Sequence, residues 1–252
     1  MSFGIIGGTG FYTLEGQAHL IEVATPYGTA QVNRAAVHGA EVFFLARHGA
    51  GHAVPPHRVN YRANIAALKT LGVTNILASA SVGAMADSMP PGSLVVITQF
   101  LDFTKSRPTT FHDGEDGEVV HVDMTDPYCP HLRQELSGAA GAIREQLAVR
   151  GTYVCVEGPR FETPAEIRMF RNLGGDLVGM TNVPEVVLAR EAGICYAAVA
   201  AVTNWAAGIS DEPLKHHEVS SFMESQTPRL RALFEQVVKQ HQEIDCACRR
   251  RG

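Results

Sequence analysis

Residues 59–80 read VNYRANIAALKTLGVTNILASA, and this stretch decides the fold class. Ile65, Leu68 and Leu71 recur at helical spacing over Val59–Leu71, and Gly72 ends the pattern, so an amphipathic helix is predicted there. Three residues later the period changes. Asn75–Ala80 is a near-continuous run of small and apolar residues without alternation, as in a strand covered on both faces. The same alternation extends outward. Phe3–Gly8, Glu41–Ala46, Leu94–Gln99, Tyr153–Glu157, Leu177–Thr181 and Cys195–Thr203 read as further buried strands. Helical patterns fall between them at Pro130–Val149, from Asn182 through Glu191 to a terminating Gly193, and over Val219–Gln240. Another starts at Thr163-Pro164-Ala165-Glu166, where a capping threonine, a proline at the first helical position and a glutamate form a capping box. Strands alternating with helices define an α/β domain. Seven strands exceed a small doubly wound layout. The expectation is therefore one domain over residues 1–245, with a central mixed, partly closed β-sheet flanked by helices, then a polar C-terminal tail over residues 246–252. Asp102–Tyr128 and Asn204–His217 follow neither period and read as lids or binding loops.

Composition narrows the function. Of 252 residues, 45% are hydrophobic and 19% charged, enough apolar material for a core and too much for a disordered chain. The net charge of −5, with no basic stripe, speaks against a nucleic-acid partner. No apolar run approaches the ~18 residues of a membrane span, and Met1–Gly10 lacks the pattern of a signal peptide, so a cytoplasmic protein is expected. The five cysteines are irregularly spaced and contain no CxxC pair, which indicates neither a disulfide framework nor a zinc site. Cys155 and Cys195 sit in apolar runs as core residues. Cys246 and Cys248 fall in the polar tail, where a frayed end is expected beside the alternatives of a strained bridge or a redox role. The 11 histidines show no metal-ligand spacing, and no GxSxG elbow is present.

Three strand ends carry groups suited to an anion. Gly4–Gly10 (GIIGGTG) runs a strand into a glycine-rich loop, which can aim backbone N–H groups at a phosphate or simply turn the chain. It is no dinucleotide fingerprint, because Thr13 stands where the third glycine belongs, and no Gly-Lys-Ser/Thr follows. Arg47-His48-Gly49 places a guanidinium directly after a strand, either as a surface group or as a bidentate phosphate ligand. Ala78–Gly83 ends another strand in small residues that let a ligand approach the backbone.

With ARHG (46–49), HxxPPHxVNYxANI (52–65), EGPRFET (157–163), MTxVPEVVLAxEAGI (180–194) and TN (203–204), the chain from Phe3 to about Glu224 resembles the trimeric purine nucleoside phosphorylase and methylthioadenosine phosphorylase family. The resemblance implies phosphorolysis, in which inorganic phosphate as co-substrate attacks C1′ of a purine nucleoside and releases the base in purine salvage. It also implies a homotrimer or dimer of trimers, with no metal and no organic cofactor. Carried over, it assigns phosphate binding to Thr9, Arg47, His48, Ala80 (through its backbone) and Thr181. Met180 would pack on the ribose and Phe161 on the base, while His121 of a neighbouring subunit would close the 5′ end.

Two features bear on the nucleoside. Family members acting on adenosine-type substrates carry Thr-Asp-x-Asp after the last core strand; here the sequence is Thr203-Asn204-Trp205-Ala206. An asparagine amide can donate to O6 of a 6-oxopurine while its carbonyl accepts from N7–H, which makes Asn204 the candidate catalytic group; otherwise it closes a strand. Glu162 can accept from N1–H of the same ring, or can serve as a carboxylate near a helix start. On the 5′ side the resemblance puts Val219, with Phe222 and Met223 three and four residues on, where a histidine would meet a 5′-hydroxyl. These residues form an apolar patch suited to a methylthio group, or the core face of the last helix. A small shift of register would bring His217 there instead. The combined expectation is a 6-oxopurine nucleoside with a 5′-methylthio group. The alternatives are its 6-amino counterpart, with Asp211 as a substitute acid, unmodified inosine or guanosine, and a non-enzymatic nucleotide-binding module.

Overall fold

The computed structural model describes residues 2–11, 18–114, 117, 119–210 and 216–249. Its strands are β1 (Ser2–Gly7), β2 (His19–Thr25), β3 (Gly28–Val37), β4 (Ala40–Ala46), β5 (Asn75–Ala84), β6 (Leu94–Phe103), β7 (Leu147–Val156), β8 (Leu177–Gly179) and β9 (Cys195–Trp205). Its α-helices are α1 (Tyr61–Thr70), α2 (Pro130–Ile143), α3 (Pro164–Asn172), α4 (Asn182–Glu191) and α5 (His216–Gln240). Helix α1 starts where the Asn60 side chain accepts the N–H of Ala63, and it buries Ile65 and Leu68 completely. Each such side chain contributes about 1.5–3 kcal/mol by leaving water.

The sheet order is β2-β3-β4-β1-β5-β8-β7-β6-β9, and β9 returns to pair with β5. Five strands thus close into a ring, and β1, β4, β3 and β2 extend from it as an open wing. The expected mixed, partly closed α/β sheet is what forms. Strand β1 is parallel to β4 and β5, and β5 is parallel to β9. Their four C-terminal ends therefore share one edge, where ligands gather in parallel α/β sheets. Helices α1 and α4 cover one face, around Ile65, Leu68, Val186 and Leu188. Helices α2 and α5 cover the other, around Leu132, Leu136, Leu233 and Phe234.

Three details differ from the sequence reading. Strands β2 and β3 were not foreseen, because they form a half-exposed antiparallel hairpin rich in polar residues rather than a buried run. Helix α2 stops at Ile143, not Val149. Arg144 takes a left-handed conformation as its C-cap, and Leu147 already pairs with Leu94 of β6. The stretch expected as a polar, frayed end instead sends Cys246 and Cys248 into the core beside α2 and α5, and residues 247–249 form a 3-10 turn. Two thiols in apolar surroundings outweigh the polar residues around them. No helix among the described residues is long and apolar enough to cross a membrane.

Candidate active site

At the shared strand edge lies a cavity of about 480 Å³, the size of a small-molecule site. Its floor is built by the loop after β1. Gly8 sits so close to Arg47 and Ser79 that a Cβ there would lie 3.1 Å from Arg47 Nη1 and from the Ser79 carbonyl, so a side chain would crowd both. The Gly8 N–H donates to Ser79 Oγ at 3.0 Å, and the Ser79 carbonyl accepts from Arg47 Nη1 at 2.8 Å. Ser79, fully buried in β5, thus joins two of the three strand ends.

Arg47 is not a surface residue. It is 2% exposed and paired bidentately with Glu185, Nε donating to Oε2 at 2.7 Å and Nη2 to Oε1 at 2.6 Å. Tyr196 donates to the same Oε1 at 2.6 Å. Burial works against the Arg47 charge, and the Glu185 carboxylate more than offsets it, so the guanidinium is held firmly protonated. Three of the five guanidinium donors are committed to Glu185 and Ser79. Arg47 also lines the cavity wall, with its side chain fully buried behind the Glu185 pair. His48 is anchored by Nδ1 to the Val54 carbonyl at 2.8 Å, and its ring lies on His52 with centroids 4.2 Å apart.

The far wall comes from β8 and α4. Tyr153 Oη accepts the Thr181 N–H at 3.1 Å and fixes Thr181 at the start of α4. Arg107 ties the wall together. Its Nη1 donates to the carbonyls of Met180 (2.7 Å) and Val183 (2.9 Å), and its Nη2 donates to that of Glu157 (2.6 Å). One buried side chain in a segment without periodicity therefore holds two backbone stretches, at 156–157 and 180–183.

A second wall carries the polar groups expected to read the base. Between β5 and β9 the register shifts after Val82↔Val202, so that Gly83 faces Asn204 and Thr203 is the extra residue. Such a bulge re-aims the side chains that follow it. Asn204 Nδ2 donates to the Trp205 carbonyl at 2.8 Å, and Asn204 Oδ1 accepts from Thr203 Oγ1 at 2.7 Å. The carbonyl partner can only accept, which fixes which way the amide points. Glu162 lines the same cavity, and burial pushes its carboxyl above the ordinary range. Phe161 and Glu162 are held by a clamp. Arg160 on one side pairs bidentately with Glu166 at 2.7 and 2.8 Å, and Thr163 on the other completes the predicted capping box with the same Glu166.

Of the residues singled out from sequence, Thr9, Arg47, His48, Phe161, Glu162, Met180, Thr181, Asn204 and Val219 all line this cavity. Ala206 lines it too. Four others do not. Ala80 is 1% exposed in the core, and β5 borders the cavity at Ser81, Val82 and Gly83 instead. Phe222 points toward Gly92, and Met223 is fully buried behind Gly10; one turn of helix past Val219 already faces the core. His121 is exposed and is not among the residues that line the cavity of its own chain. Asp211 lies outside the described residues, and the His217 side chain is likewise not described. Sequence reasoning missed Ser79, Arg107 and Glu185. Glu185 alone left a trace, an acid inside the apolar run VPEVVLA.

The family model of the phosphorylase superfamily matches residues 2–239, and the chain belongs to that superfamily. It is 53% identical to a probable 6-oxopurine nucleoside phosphorylase from Dictyoglomus turgidum, over 99% of this chain and 95% of the relative. It is 52% identical to a probable S-methyl-5′-thioinosine phosphorylase from Methanopyrus kandleri, over 94% and 91%. Among solved structures, methylthioadenosine phosphorylase from Schistosoma mansoni in complex with adenine superposes with a TM-score of 0.90 at 35% identity, covering 94% of this chain and 90% of that one.

Proposed function

We propose that the chain catalyses phosphorolysis of S-methyl-5′-thioinosine, giving hypoxanthine and 5-methylthioribose 1-phosphate. Phosphate sits against Arg47, His48, Thr9 and Thr181 and attacks C1′. The C1′–O bond forms as the C1′–N9 bond breaks, and the electron pair of that bond passes into the purine. N7 takes a proton from solvent, and Asn204 Oδ1 accepts the hydrogen bond from N7–H while Nδ2 donates to O6. Stabilising the charge that develops on the departing base lowers the barrier more than it strengthens substrate binding. Met180 packs on the sugar and Phe161 on the base.

The observation that carries the choice of base is that Glu162, Asn204 and Ala206 line one cavity; in this reading Glu162 accepts from N1–H, Asn204 serves O6 and N7, and Ala206 stands where an acid would serve a 6-amino group. Each mismatched buried hydrogen bond costs on the order of 1–3 kcal/mol, so two of them separate the bases by roughly a thousandfold. Val219 supplies the apolar contact for the methylthio group.

A second reading shares the base and differs at the 5′ end. With Phe222 and Met223 facing elsewhere, Val219 is the one member of the expected patch on the cavity, and this favours unmodified inosine or guanosine more than the sequence alone did. Comparison of kcat/KM for methylthioinosine, inosine and methylthioadenosine at saturating phosphate separates the readings. Methylthioinosine is expected to lead. Inosine in front overturns the 5′ assignment, and methylthioadenosine in front overturns the base assignment. The working form is proposed to be a cytoplasmic homotrimer or dimer of trimers without metal in this site, which light scattering and metal-free assays check.

A further inference from the structure

Four cysteines that the sequence scatters meet in space. Cys129, Cys195, Cys246 and Cys248 place their Sγ atoms all within 4.8 Å of one another, with Cys129 Sγ 3.6 Å from Cys246 Sγ. All four are buried, between 1% and 7% exposed. A tetrahedral zinc with Zn–S bonds of about 2.3 Å needs sulfurs roughly 3.8 Å apart, so the cluster is within about 1 Å of a coordination sphere.

We propose that these four thiols form a tetrathiolate zinc site that pins residues 246–249 to the domain. No spacing motif announces it, because the ligands arrive from three places. Cys129 is the N-cap of α2, and the Cys129 N–H donates to the Tyr196 carbonyl at 2.8 Å, which sets it beside β9. Cys195 is the first residue of β9. Cys246 and Cys248 are presented by a turn closed by the Arg249 N–H to the Cys246 carbonyl at 3.0 Å.

The surroundings suit a charged centre. Zinc displaces the four thiol protons to solvent, and the loaded site carries two net negative charges. Cys129 stands at the N-terminus of α2, an end whose backbone N–H groups favour a thiolate. Arg249 belongs to the same 3-10 turn as Cys248 and is held there by Asn75, whose Oδ1 accepts from Arg249 Nη2 at 3.2 Å. Approach of the turn is built in as well. Gly193 has φ +65°, and a Cβ there would lie 3.2 Å from the Arg249 carbonyl, so a side chain at this position would be strained and would crowd the turn against the start of β9. Upstream of the turn, just past the end of α5, His241 is tied to Glu135 of α2 through Nδ1 at 2.7 Å.

The reduced full-length protein, freed of metal, is titrated with Co²⁺ and then Zn²⁺. The expected result is the intense visible absorption and thiolate charge-transfer band of tetrahedral cobalt at about one equivalent per chain, displaced by zinc. Zinc should also protect four of the five thiols from alkylation and raise the melting temperature. Cys246→Ser and Cys248→Ser should each lower cobalt absorption at least tenfold while kcat/KM stays within about twofold, since neither residue touches the cavity. The wild-type titration needs no variant to fold. The proposal is overturned by reduced protein that gives no cobalt spectrum, by thiols that react alike with and without zinc, or by cysteine pairs that close as disulfides and bind no metal after reduction.

Discussion

The two ends of β9 make the most instructive contrast in the molecule. At its start, Cys195 lies among four buried sulfurs; nine residues on, roughly 30 Å away, Asn204 stands at the cavity. Both ends gather residues from distant parts of the chain, but they do so differently. The cavity end is made by parallel strands that all stop at one edge, so the fold itself delivers the groups. The sulfur end is made by a helix cap, a strand start and a turn, and nothing in the sheet topology requires them to meet. One end is architecture, while the other is a fastening added to it. The two should therefore fail separately, since sites this far apart and without shared partners perturb stability additively.

The sharpest way to break the contrast is at Arg47, where architecture and chemistry coincide. Arg47→Met leaves the Glu185 carboxylate, which is fully buried, without its counter-charge. Unpairing a buried ion pair costs about 3–5 kcal/mol, so the melting temperature should fall by many degrees and phosphorolysis should be lost. Glu185→Gln is the informative companion. It keeps the guanidinium but removes its anion, so added phosphate should raise the melting temperature of this variant more than that of the wild type. Equal phosphate shifts in both proteins would place the anion elsewhere. Neither variant should alter metal uptake at the other end of β9.

Next in size is the base preference. Asn204→Asp with Ala206→Asp restores the two acids that a 6-amino purine calls for, on a wall whose register the Thr203 bulge already sets. The ratio of kcat/KM for methylthioadenosine to methylthioinosine should rise by about two orders of magnitude, most of it through loss on the oxopurine. An unchanged ratio would show that these side chains do not select the base.

The sequence made the cavity end more legible than the sulfur end, for a physical reason. Strands buried on both faces leave unbroken apolar runs, and Arg47, which follows one of them, can be recognised as a strand-end residue by that position alone, whereas Thr181 and Asn204 are assigned through the family resemblance. The capping box at Thr163 was legible because its partners are three residues apart. What could not be read were residues whose meaning lies across the fold. Arg107 sits in a segment with no period, and its partners are 46 to 76 positions away. Phe222 and Met223 were placed by helical spacing, yet only packing decides which side of α5 meets the cavity. The strand pair β2–β3 escaped because its alternation is diluted by polar residues on the exposed face.

The smallest expected effect concerns Glu162, and it separates function from stability at a single residue. Burial raises its carboxyl pKa, and the form that reads N1–H is the carboxylate. Turnover of 6-oxopurine nucleosides should therefore fall as pH drops through that raised pKa, and Glu162→Gln should remove this acid limb while lowering kcat/KM by about tenfold or more. Stability should run the other way. A carboxyl whose folded pKa lies above its unfolded value holds more protons when folded, so its contribution is intact below the unfolded pKa and is lost as pH rises through the folded one. At neutral pH the wild type thus keeps a partly desolvated charge that Gln lacks, and the variant should melt at an equal or slightly higher temperature. A variant that lost both activity and stability would mark Glu162 as part of the framework, like Glu185, rather than as the group that reads the ring.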